Sequence, residues 1–274
     1  MKKIVLLASL TLIFVSCGRS SDNTNEIIID PVVEVPALPT KITGDSDVKE
    51  IKYNGNKISE ISSAVSRMIF EYTGNFITKI IVYNIHGKKM RSVDFVYNNG
   101  RLITAYPEDV DYKGVFSYSY PESNVINCTE ITRYGSGNGS LINKKIVTYI
   151  QKNNNIISEE LTYYQDDELR GSVSKIYTYD DKKNVYRNIL GIDKIKAFLV
   201  SQIQDWNIRG DDNNNLTMDV VNPSINGEIL KYKAVNSINY SVDNYPVRII
   251  TKMYTEGKDI SQNYIGVNLF EYSK

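Results

Sequence analysis

Short β-hairpins recur along most of the chain, and this repeat constrains the fold more than any other feature. Three close copies are IKYNGNKI at 51–58, FEYTGNFI at 70–77 and FVYNNGRLI at 95–103. In each copy, β-branched and aromatic residues alternate with polar ones, and asparagine or glycine supplies the positive φ angles that a tight turn requires. Each copy therefore predicts a strand, a turn and a returning strand.

Looser copies keep the same order of an aromatic strand followed by an asparagine-containing turn: FSY at 116–118, VTY at 147–149, YTY at 177–179 and INY at 238–240. Successive hairpins predict an antiparallel meander, because parallel strands need a crossover of about a dozen residues or more. A flat sheet of this size would expose its edges and an apolar face. We therefore expect a mainly all-β fold with a strongly curved or barrel-like sheet. A two-layer sheet is the alternative.

One segment departs from this period-two pattern and predicts an amphipathic helix near 190–206. Its apolar residues fall at helical spacing: Leu190, Ile192, Ile195, Phe198, Leu199 and Ile203. We expect this helix to pack on one sheet face or to plug one opening of the barrel. A helix that binds a partner would show the same pattern.

The N-terminal residues indicate export and lipidation. Two lysines precede an apolar run at 4–15 that is too short to span a bilayer, and Cys17 follows it. The segment FVSC at 14–17 resembles the lipobox of bacterial lipoproteins, in which the signal peptide is cut before the cysteine and the thiol is acylated. The resemblance implies a signal peptide at 1–16 and attachment to the membrane through a lipid on Cys17. An ordinary secretory signal is the alternative.

The remaining chain divides into a tether at 17–40 and a β-meander domain at 41–274. Prolines in the second half of the tether fix φ, so we expect an extended, semi-stiff segment there. Lysine plus arginine and aspartate plus glutamate both number 32, so the net charge gives no reason to expect nucleic acid as a partner. Cys128 lies in a strand-like run, where a small buried residue is favoured over a nucleophile.

The residues that common catalytic and metal sites require are scarce. The single histidine, His86, falls in a predicted hairpin loop, so neither a zinc cluster nor a Ser-His-Asp triad is expected. Glycine-rich phosphate-binding motifs are missing from the sequence. Residues 211–215 cluster oxygen atoms as a calcium loop does, but Leu216 stands where an EF-hand needs glycine, so a polar loop is favoured. We expect no catalytic residue, no cofactor and no metal.

Carboxylate chemistry is harder to exclude, since hydrolysis of a glycosidic bond needs only two acids at the right separation. The candidates are Asp180, Asp181, Glu159 and Glu160. Each lies beside a strand end or alternates with apolar residues, so solvated acids on an exposed sheet face are the favoured interpretation. A carboxylate-dependent hydrolase of polysaccharide is the alternative function.

Tyrosine is unusually frequent, with 21 tyrosines against 7 phenylalanines. Its ring is apolar, whereas its hydroxyl can stay in water. Exposed rows of tyrosine could bind glycans or peptides. Pairing across strands to cover a sheet face is the favoured interpretation.

The order of tether, hairpin repeats, YTYDDKKN at 177–184 and NILG at 188–191 resembles uncharacterised lipoproteins of the Bacteroidetes, and Tyr179-Asp180 is similar to the YD repeats of the RHS type. The resemblance implies a cell-envelope location at the outer membrane, with the leaflet open, and transfers no catalytic residue. We expect a non-enzymatic, lipid-anchored binding or structural module that presents a tyrosine-bearing surface to a glycan, a peptide or another envelope protein. A transmembrane barrel is disfavoured, because lysine and glutamate alternate along the outer face.

Overall fold

The described part of the chain is built almost entirely of β-strands. The computed structural model describes residues 37–45, 47–135, 141–202, 210–223, 229–255 and 265–273. In these ranges 16 antiparallel strands each pair with the next one along the chain, and the first pairs with the last, which closes the sheet into a barrel. The predicted all-β meander is confirmed, and the sheet is a closed barrel.

In chain order the strands are β1 (Pro39–Thr43), β2 (Val48–Asn54), β3 (Lys57–Ser62), β4 (Ser66–Thr73), β5 (Phe76–Asn84), β6 (Lys89–Asn98), β7 (Arg101–Asp109), β8 (Tyr112–Glu122), β9 (Val125–Tyr134), β10 (Leu141–Lys152), β11 (Asn155–Gln165), β12 (Glu168–Lys183), β13 (Asn213–Pro223), β14 (Ile229–Tyr240), β15 (Pro246–Thr255) and β16 (Ile265–Tyr272). The first strand begins just before the predicted domain boundary at residue 41. The predicted signal peptide, Cys17 and the tether up to residue 36 lie outside the described residues.

Connections that follow the even-numbered strands form one rim of the barrel, here called the tight-turn rim. Gly55, Gly74 and Gly100 lie in its turns with φ angles of 62°, 58° and 76°. The repeat predicts positive φ at these positions, so its turn chemistry is confirmed. Connections that follow the odd-numbered strands form the opposite rim, here called the far rim. His86 lies there in an exposed turn, as predicted.

The apolar residues of the repeat face the inside of the barrel. Met68, Phe70 and Ile80 are almost inaccessible to solvent, whereas residues that alternate with them along the strands are more exposed. Cys128 is buried as predicted, and burial raises the pKa of its thiol. The wall therefore presents an apolar inner surface, and other apolar side chains inside the barrel must cover it.

The connection between β12 and β13 closes the tight-turn rim. The Leu190 N–H donates to the Asn56 carbonyl oxygen at 3.0 Å, and the Tyr72 hydroxyl donates to the Leu190 carbonyl oxygen at 3.1 Å. Ile189 and Ile192 are almost fully buried beside these bonds. These contacts at the rim are made by the segment before the helix, not by the predicted helix itself.

The helix itself begins later than predicted. A 3₁₀ turn at Asp193–Ile195 leads into α1 (Lys196–Gln202), and positions 203–206 lie outside the described residues. Gly191 has a φ of +78°, and a Cβ atom there would lie 2.8 Å from the Asn75 carbonyl oxygen. A left-handed residue interrupts a right-handed helix, so the helical spacing that begins at residue 190 becomes a helix only beyond this glycine.

The helix α1 packs on the inner surface of the wall. The Phe198 ring meets Phe95 edge to face, with centroids 5.1 Å apart and planes at 84°, and its centroid lies 6.0 Å from that of Phe116. Ala197 and Leu199 are also buried. The helix thereby covers apolar residues of β6 and β8 that the wall alone would leave exposed.

The outer surface of the wall carries ion pairs between adjacent strands. Such pairs join β1 with β16, β2 with β3, β5 with β6 and β13 with β14: Lys41–Glu271, Lys52–Glu60, Lys79–Asp94 and Lys233–Asp219. Apolar side chains such as Ile146 and Ile176 are exposed among them. In the described ranges no helix has the length and apolar character needed to cross a membrane.

Candidate functional site

The acids nominated by the sequence do not form one site. Asp180 accepts a hydrogen bond from the Tyr240 hydroxyl near the tight-turn rim. The Asp181 side chain is 86% exposed, and Glu160 lies on the outer surface. Only Glu159 is buried, with 1% exposure, so the prediction of a solvated acid is wrong for this residue.

A β-bulge explains why Glu159 faces inward. In the pairing of β10 with β11, Ile150 lies opposite Ser158 and Gln151 lies opposite Ile156, so one residue of β11 is left over. The extra residue resets the alternation, and both Ile156 and Glu159 are buried. Strict alternation read from the sequence does not anticipate this reversal.

Glu159 is held by two partners inside the barrel. The Lys175 ammonium lies 3.0 and 3.2 Å from its two carboxylate oxygens, and the Tyr177 hydroxyl donates to it at 3.0 Å. The Lys175 side chain is only 14% exposed. Both carboxylate oxygens are therefore engaged by a cation that is itself largely buried.

Glu130 forms a second carboxylate group on the same inner surface. Its Oε2 accepts a hydrogen bond from Gln202 of α1 at 3.1 Å, and the Lys145 ammonium lies 3.6 Å away. Its Oε1 atom and the buried hydroxyl of Tyr149 have no hydrogen-bond partner among the described residues. Burial raises the pKa of Glu130, the Lys145 charge opposes the rise, and the Glu159 charge adds to it.

These four charged side chains, Glu130, Lys145, Glu159 and Lys175, form the lumenal charge cluster. Each glutamate faces a lysine, so the cluster is close to neutral and neither carboxylate stands ready as a nucleophile. Water still reaches it, since the Lys145 side chain is 41% exposed although it points inward. Nowhere in the described ranges do three histidine, cysteine, aspartate or glutamate side chains group closely enough to hold a metal ion.

The acidic and asparagine-rich loop after α1 is a structural connection. The Asp211 Oδ1 atom accepts the Ile156 N–H at 2.9 Å, and Asp212 accepts the Asn154 side-chain amide at 2.8 Å. These bonds tie the start of β13 to the turn between β10 and β11. The carboxylates that suggested a calcium loop are used for this purpose, in agreement with the favoured interpretation of a polar loop.

Tyrosines at the tight-turn rim link neighbouring hairpins. Each is half-buried, and its hydroxyl donates to a main-chain carbonyl oxygen. Tyr53, Tyr97 and Tyr120 donate to Pro39, Ile77 and Leu102 at 2.7, 2.6 and 2.9 Å. Burial raises the pKa of Tyr120 to about 12.

Bulges lie opposite these rings. The register of the wall shifts beside Tyr53, Tyr72 and Tyr97, and the residue left over lies each time in the returning strand, β3, β5 or β7. Alternation along the tyrosine-bearing strands is therefore unbroken, and each ring follows the inward-facing residues before it. Among the described residues only Tyr106 and Tyr134 are exposed tyrosines. The expected broad tyrosine surface is therefore corrected for this part of the chain, because the other described tyrosines are buried or half-buried.

The exposed Tyr134 belongs to a cleft at the far rim. This cleft, here called the far-rim cleft, has a volume of about 630 Å³ and is lined by the β7–β8 turn, the start of β8 and the end of β9. Tyr112 and Tyr134 pair across the two strands, with ring centroids 5.5 Å apart and planes at 42°. Tyr134 is 39% exposed, and Val110 in the β7–β8 turn is exposed beside it. Val115 is also exposed but lies on the outer face of the wall.

Polar side chains flank the two rings of the far-rim cleft. The Lys113 ammonium lies 3.0 Å from the Glu108 carboxylate, and the Asp109 carboxylate accepts an adjacent main-chain N–H at 2.6 Å. Arg133 and Asp111 are exposed and form no ion pair with another residue in the described ranges. Lys113 and Arg133 alternate with Tyr112 and Tyr134 along the two strands, so these cationic side chains lie on the outer face of the wall and the rings on its inner face.

Comparison with known proteins yields relatives in structure alone. No protein-family model matches the chain, and no curated protein matches it. A porin-like protein from Bacteroides vulgatus ATCC 8482 is 16% identical, with a TM-score of 0.59 over 87% of this chain and 99% of that chain. A porin-like protein from Bacteroides uniformis ATCC 8492 is 11% identical, with a TM-score of 0.48 over 87% and 98%. The first likeness shows a shared barrel fold.

Proposed function

We propose that the chain is a non-enzymatic binding protein of the cell envelope, whose barrel stands in water and is held to the outer membrane by a lipid on Cys17. The observation that carries the proposal is the distribution of polarity across the wall. Ion pairs such as Lys52–Glu60 and Lys79–Asp94 lie outside, among exposed apolar side chains such as Ile146, and the buried apolar residues face the interior.

A membrane-embedded wall requires the opposite distribution. Transmembrane barrels carry an outward apolar band about 25 Å tall, and an arginine or lysine at the bilayer midplane costs about 2–4 kcal/mol. The outer face of this barrel places charged pairs on at least β1 to β3, β5, β6, β13, β14 and β16. Such a wall is stable in water and needs a separate attachment to a membrane, which the lipobox at 14–17 offers.

The attachment also suits the far-rim cleft. The chain enters the barrel at the tight-turn rim, where the Tyr53 hydroxyl bonds to Pro39 and the Leu38 carbonyl accepts the Ser273 N–H at 2.8 Å. The far-rim cleft lies at the opposite rim. A tether that ends at one rim leaves the other rim accessible to a ligand.

Lipidation and release from the membrane test this proposal. The wild-type chain should incorporate radiolabelled palmitate and sediment with membranes, and Cys128→Ser, which keeps Cys17, should behave identically. Residues 18–274 exported behind a cleavable signal peptide without cysteine should be unlabelled and extracted by sodium carbonate. If that unlabelled protein stays in carbonate-washed membranes, the wall itself is embedded and the proposal is wrong.

A carboxylate-dependent hydrolase is the second candidate, because Glu159 and Glu130 are both buried on the inner surface and burial raises the pKa of Glu130. It is less well supported, since Lys175 and Tyr177 engage Glu159. Release of reducing sugar from polysaccharides by the wild type, lost in Glu159→Gln, would establish it.

A further inference from the structure

We propose that a cavity at the tight-turn rim binds a phosphate group. This cavity, here called the rim cavity, lies between the turn at Gly100, the Tyr120 ring and the segment that leads into α1. Three cationic side chains and one carboxylate line it: Arg101, Lys194, Lys196 and Asp193. The proposal goes beyond the proposed function, because it assigns a ligand to the rim opposite the far-rim cleft.

The Arg101 side chain reaches over the rim to the inner side of the wall. Arg101 begins β7 beside the buried Leu102, so alternation alone would direct it outward. Its guanidinium nevertheless lies 5.0 Å from the centroid of the Tyr120 ring, which packs against the core. The Tyr120 hydroxyl donates to the Leu102 carbonyl oxygen at 2.9 Å and fixes that ring. The guanidinium and the ring therefore lie together at the mouth of the rim cavity.

Arg101 is the cation of the rim cavity that no carboxylate balances. In the described ranges its guanidinium forms no ion pair and no hydrogen bond, so its N–H donors face a ligand or water. Lys194, by contrast, lies 2.8 Å from the Asp193 carboxylate. The lining therefore has an excess of positive charge, which favours an anion.

Lys196 places a second cation at the buried side of the rim cavity. It is 5% exposed, and its ammonium donates to the main-chain and side-chain oxygens of Asn154 at 2.8 and 2.6 Å. The charges of Asp211 and Asp212 also act on Lys196, although neither residue lines the cavity. Lys196 thus contributes a charge fixed before binding, and Arg101 contributes the charge that an anion would neutralise.

The arrangement fits a phosphate group better than a carboxylate. The cations belong to three elements: Arg101 to β7, Lys194 to the 3₁₀ turn and Lys196 to α1. A phosphate group presents acceptor oxygens in several directions, whereas a carboxylate presents two in one plane, and the arginine fork binds either of them. The volume of about 150 Å³ is below the range of about 300–1,000 Å³ that is usual for drug-sized ligands, so the cavity suits a single anionic group.

The phosphate group can belong to a lipid headgroup or to free phosphate. The chain enters the barrel at the tight-turn rim, where the Tyr53 hydroxyl bonds to Pro39, so the rim cavity lies on the side of the tether. A headgroup as the source rests on the lipid anchor of the proposed function. The phosphate site itself does not.

Isothermal titration calorimetry tests the proposal and separates the two sources. The full chain in dodecyl maltoside and Tris buffer would be titrated with inorganic phosphate, with acetate and with sn-glycero-3-phosphoglycerol, the headgroup diester of phosphatidylglycerol without its acyl chains. We expect at least one phosphate to bind, and acetate to bind at least about tenfold more weakly. Binding of the diester assigns the site to a lipid headgroup, and binding of inorganic phosphate alone assigns it to free phosphate.

Variants with opposite expected effects locate the bound anion. Arg101→Met should weaken phosphate binding by about tenfold or more, which corresponds to about 1.4 kcal/mol. Asp193→Asn should strengthen it by about twofold or more, because it removes the carboxylate of the lining. Arg67→Met is the matched control, since Arg67 lies 5.5 Å from the Tyr83 ring outside the rim cavity. It should bind phosphate like the wild type, and unchanged urea midpoints would show that all three variants are folded.

Three results would overturn the proposal: neither phosphate binds, acetate binds as tightly as phosphate, or Arg101→Met and Asp193→Asn bind like the wild type. None of these results bears on palmitate labelling or carbonate extraction. Failure of the phosphate site is therefore distinguishable from failure of the anchored, water-facing barrel.

Discussion

Truncation of Phe198 should destabilise the whole barrel, because this ring joins α1 to the wall. The side chain is 2% exposed, with its ring 5.1 Å from Phe95 and 6.0 Å from Phe116 between centroids. Replacing a buried phenylalanine by alanine costs about 3–5 kcal/mol through lost burial and the cavity left behind. Each aromatic pair contributes about 0.5–1.5 kcal/mol beyond burial, so we expect Phe198→Ala to fall in the upper half of that range.

Urea unfolding followed by circular dichroism measures this loss. With a slope of about 3 kcal/mol per molar urea, the midpoint should fall by about 1–2 M. Val242→Ala is the control, since Val242 is 97% exposed and its truncation should change the free energy of unfolding by less than about 0.5 kcal/mol.

A small shift of the midpoint would refute the reasoning. If Phe198→Ala and Val242→Ala unfold at the same urea concentration, α1 does not contribute to the cooperative core. Hydrogen exchange of the wild type gives an independent check, because the amides of a core helix exchange only when the barrel unfolds globally. Rapid exchange throughout Lys196–Gln202 would lead to the same conclusion as an unchanged midpoint.

The remaining predictions concern the inner charges and one turn. Lys175→Met should lower the free energy of unfolding at pH 7 by about 3–5 kcal/mol, because it leaves buried Glu159 without its cation, and urea titration at pH 7 measures the loss. Burial raises the pKa of Glu130 in the folded protein. Its contribution to the free energy of unfolding is therefore complete below the unfolded pKa of about 4.3 and is lost as pH rises through the native pKa. Glu130→Gln should remove this pH dependence from a series of urea midpoints measured at different pH values. Gly191→Ala should cost more than about 1 kcal/mol in thermal unfolding, since the residue has a φ of +78° and faces the Asn75 carbonyl oxygen.

Local features of the fold follow from the sequence, whereas closure of the barrel does not. Positive φ at Gly55, Gly74 and Gly100 is a property of each hairpin and could be predicted from one copy of the repeat. Pairing of β1 with β16 joins residues more than 220 positions apart, such as Ile42 and Phe270. Nothing in either strand distinguishes that pairing from an open edge.

Alternation along a strand predicts the face of the repeat tyrosines but fails for Glu159. The register shifts beside Tyr72 and Tyr97 leave the extra residue in the returning strand, so each ring stays on the face of the apolar residues before it. In β11 the extra residue lies in the strand itself and moves Glu159 from the expected outer face to the interior. Bulges are set by strand pairing, so single-strand periodicity fails where they occur.

The far-rim cleft shows the same limit for contacts between strands. Tyr112 and Tyr134 lie in different strands of the repeat, and no motif links them in the sequence. They meet because β8 and β9 pair in the register that places them directly opposite each other. A composition rich in tyrosine suggested aromatic contacts, but only the register selects which rings remain exposed.

The number of strands explains why this chain needs an internal helix. About eight strands enclose a space that wall side chains can fill, whereas the 16 strands here enclose a wider one. The buried apolar residues of the wall face this space, so apolar side chains are needed inside, and α1 provides them beside β6 and β8. Across the barrel, inner residues of β14 such as Tyr232 and Asn236 are only half-buried, and paired charges such as Lys175 and Glu159 lie nearby. The apolar side of the interior thus depends on the helix, and the polar side tolerates water.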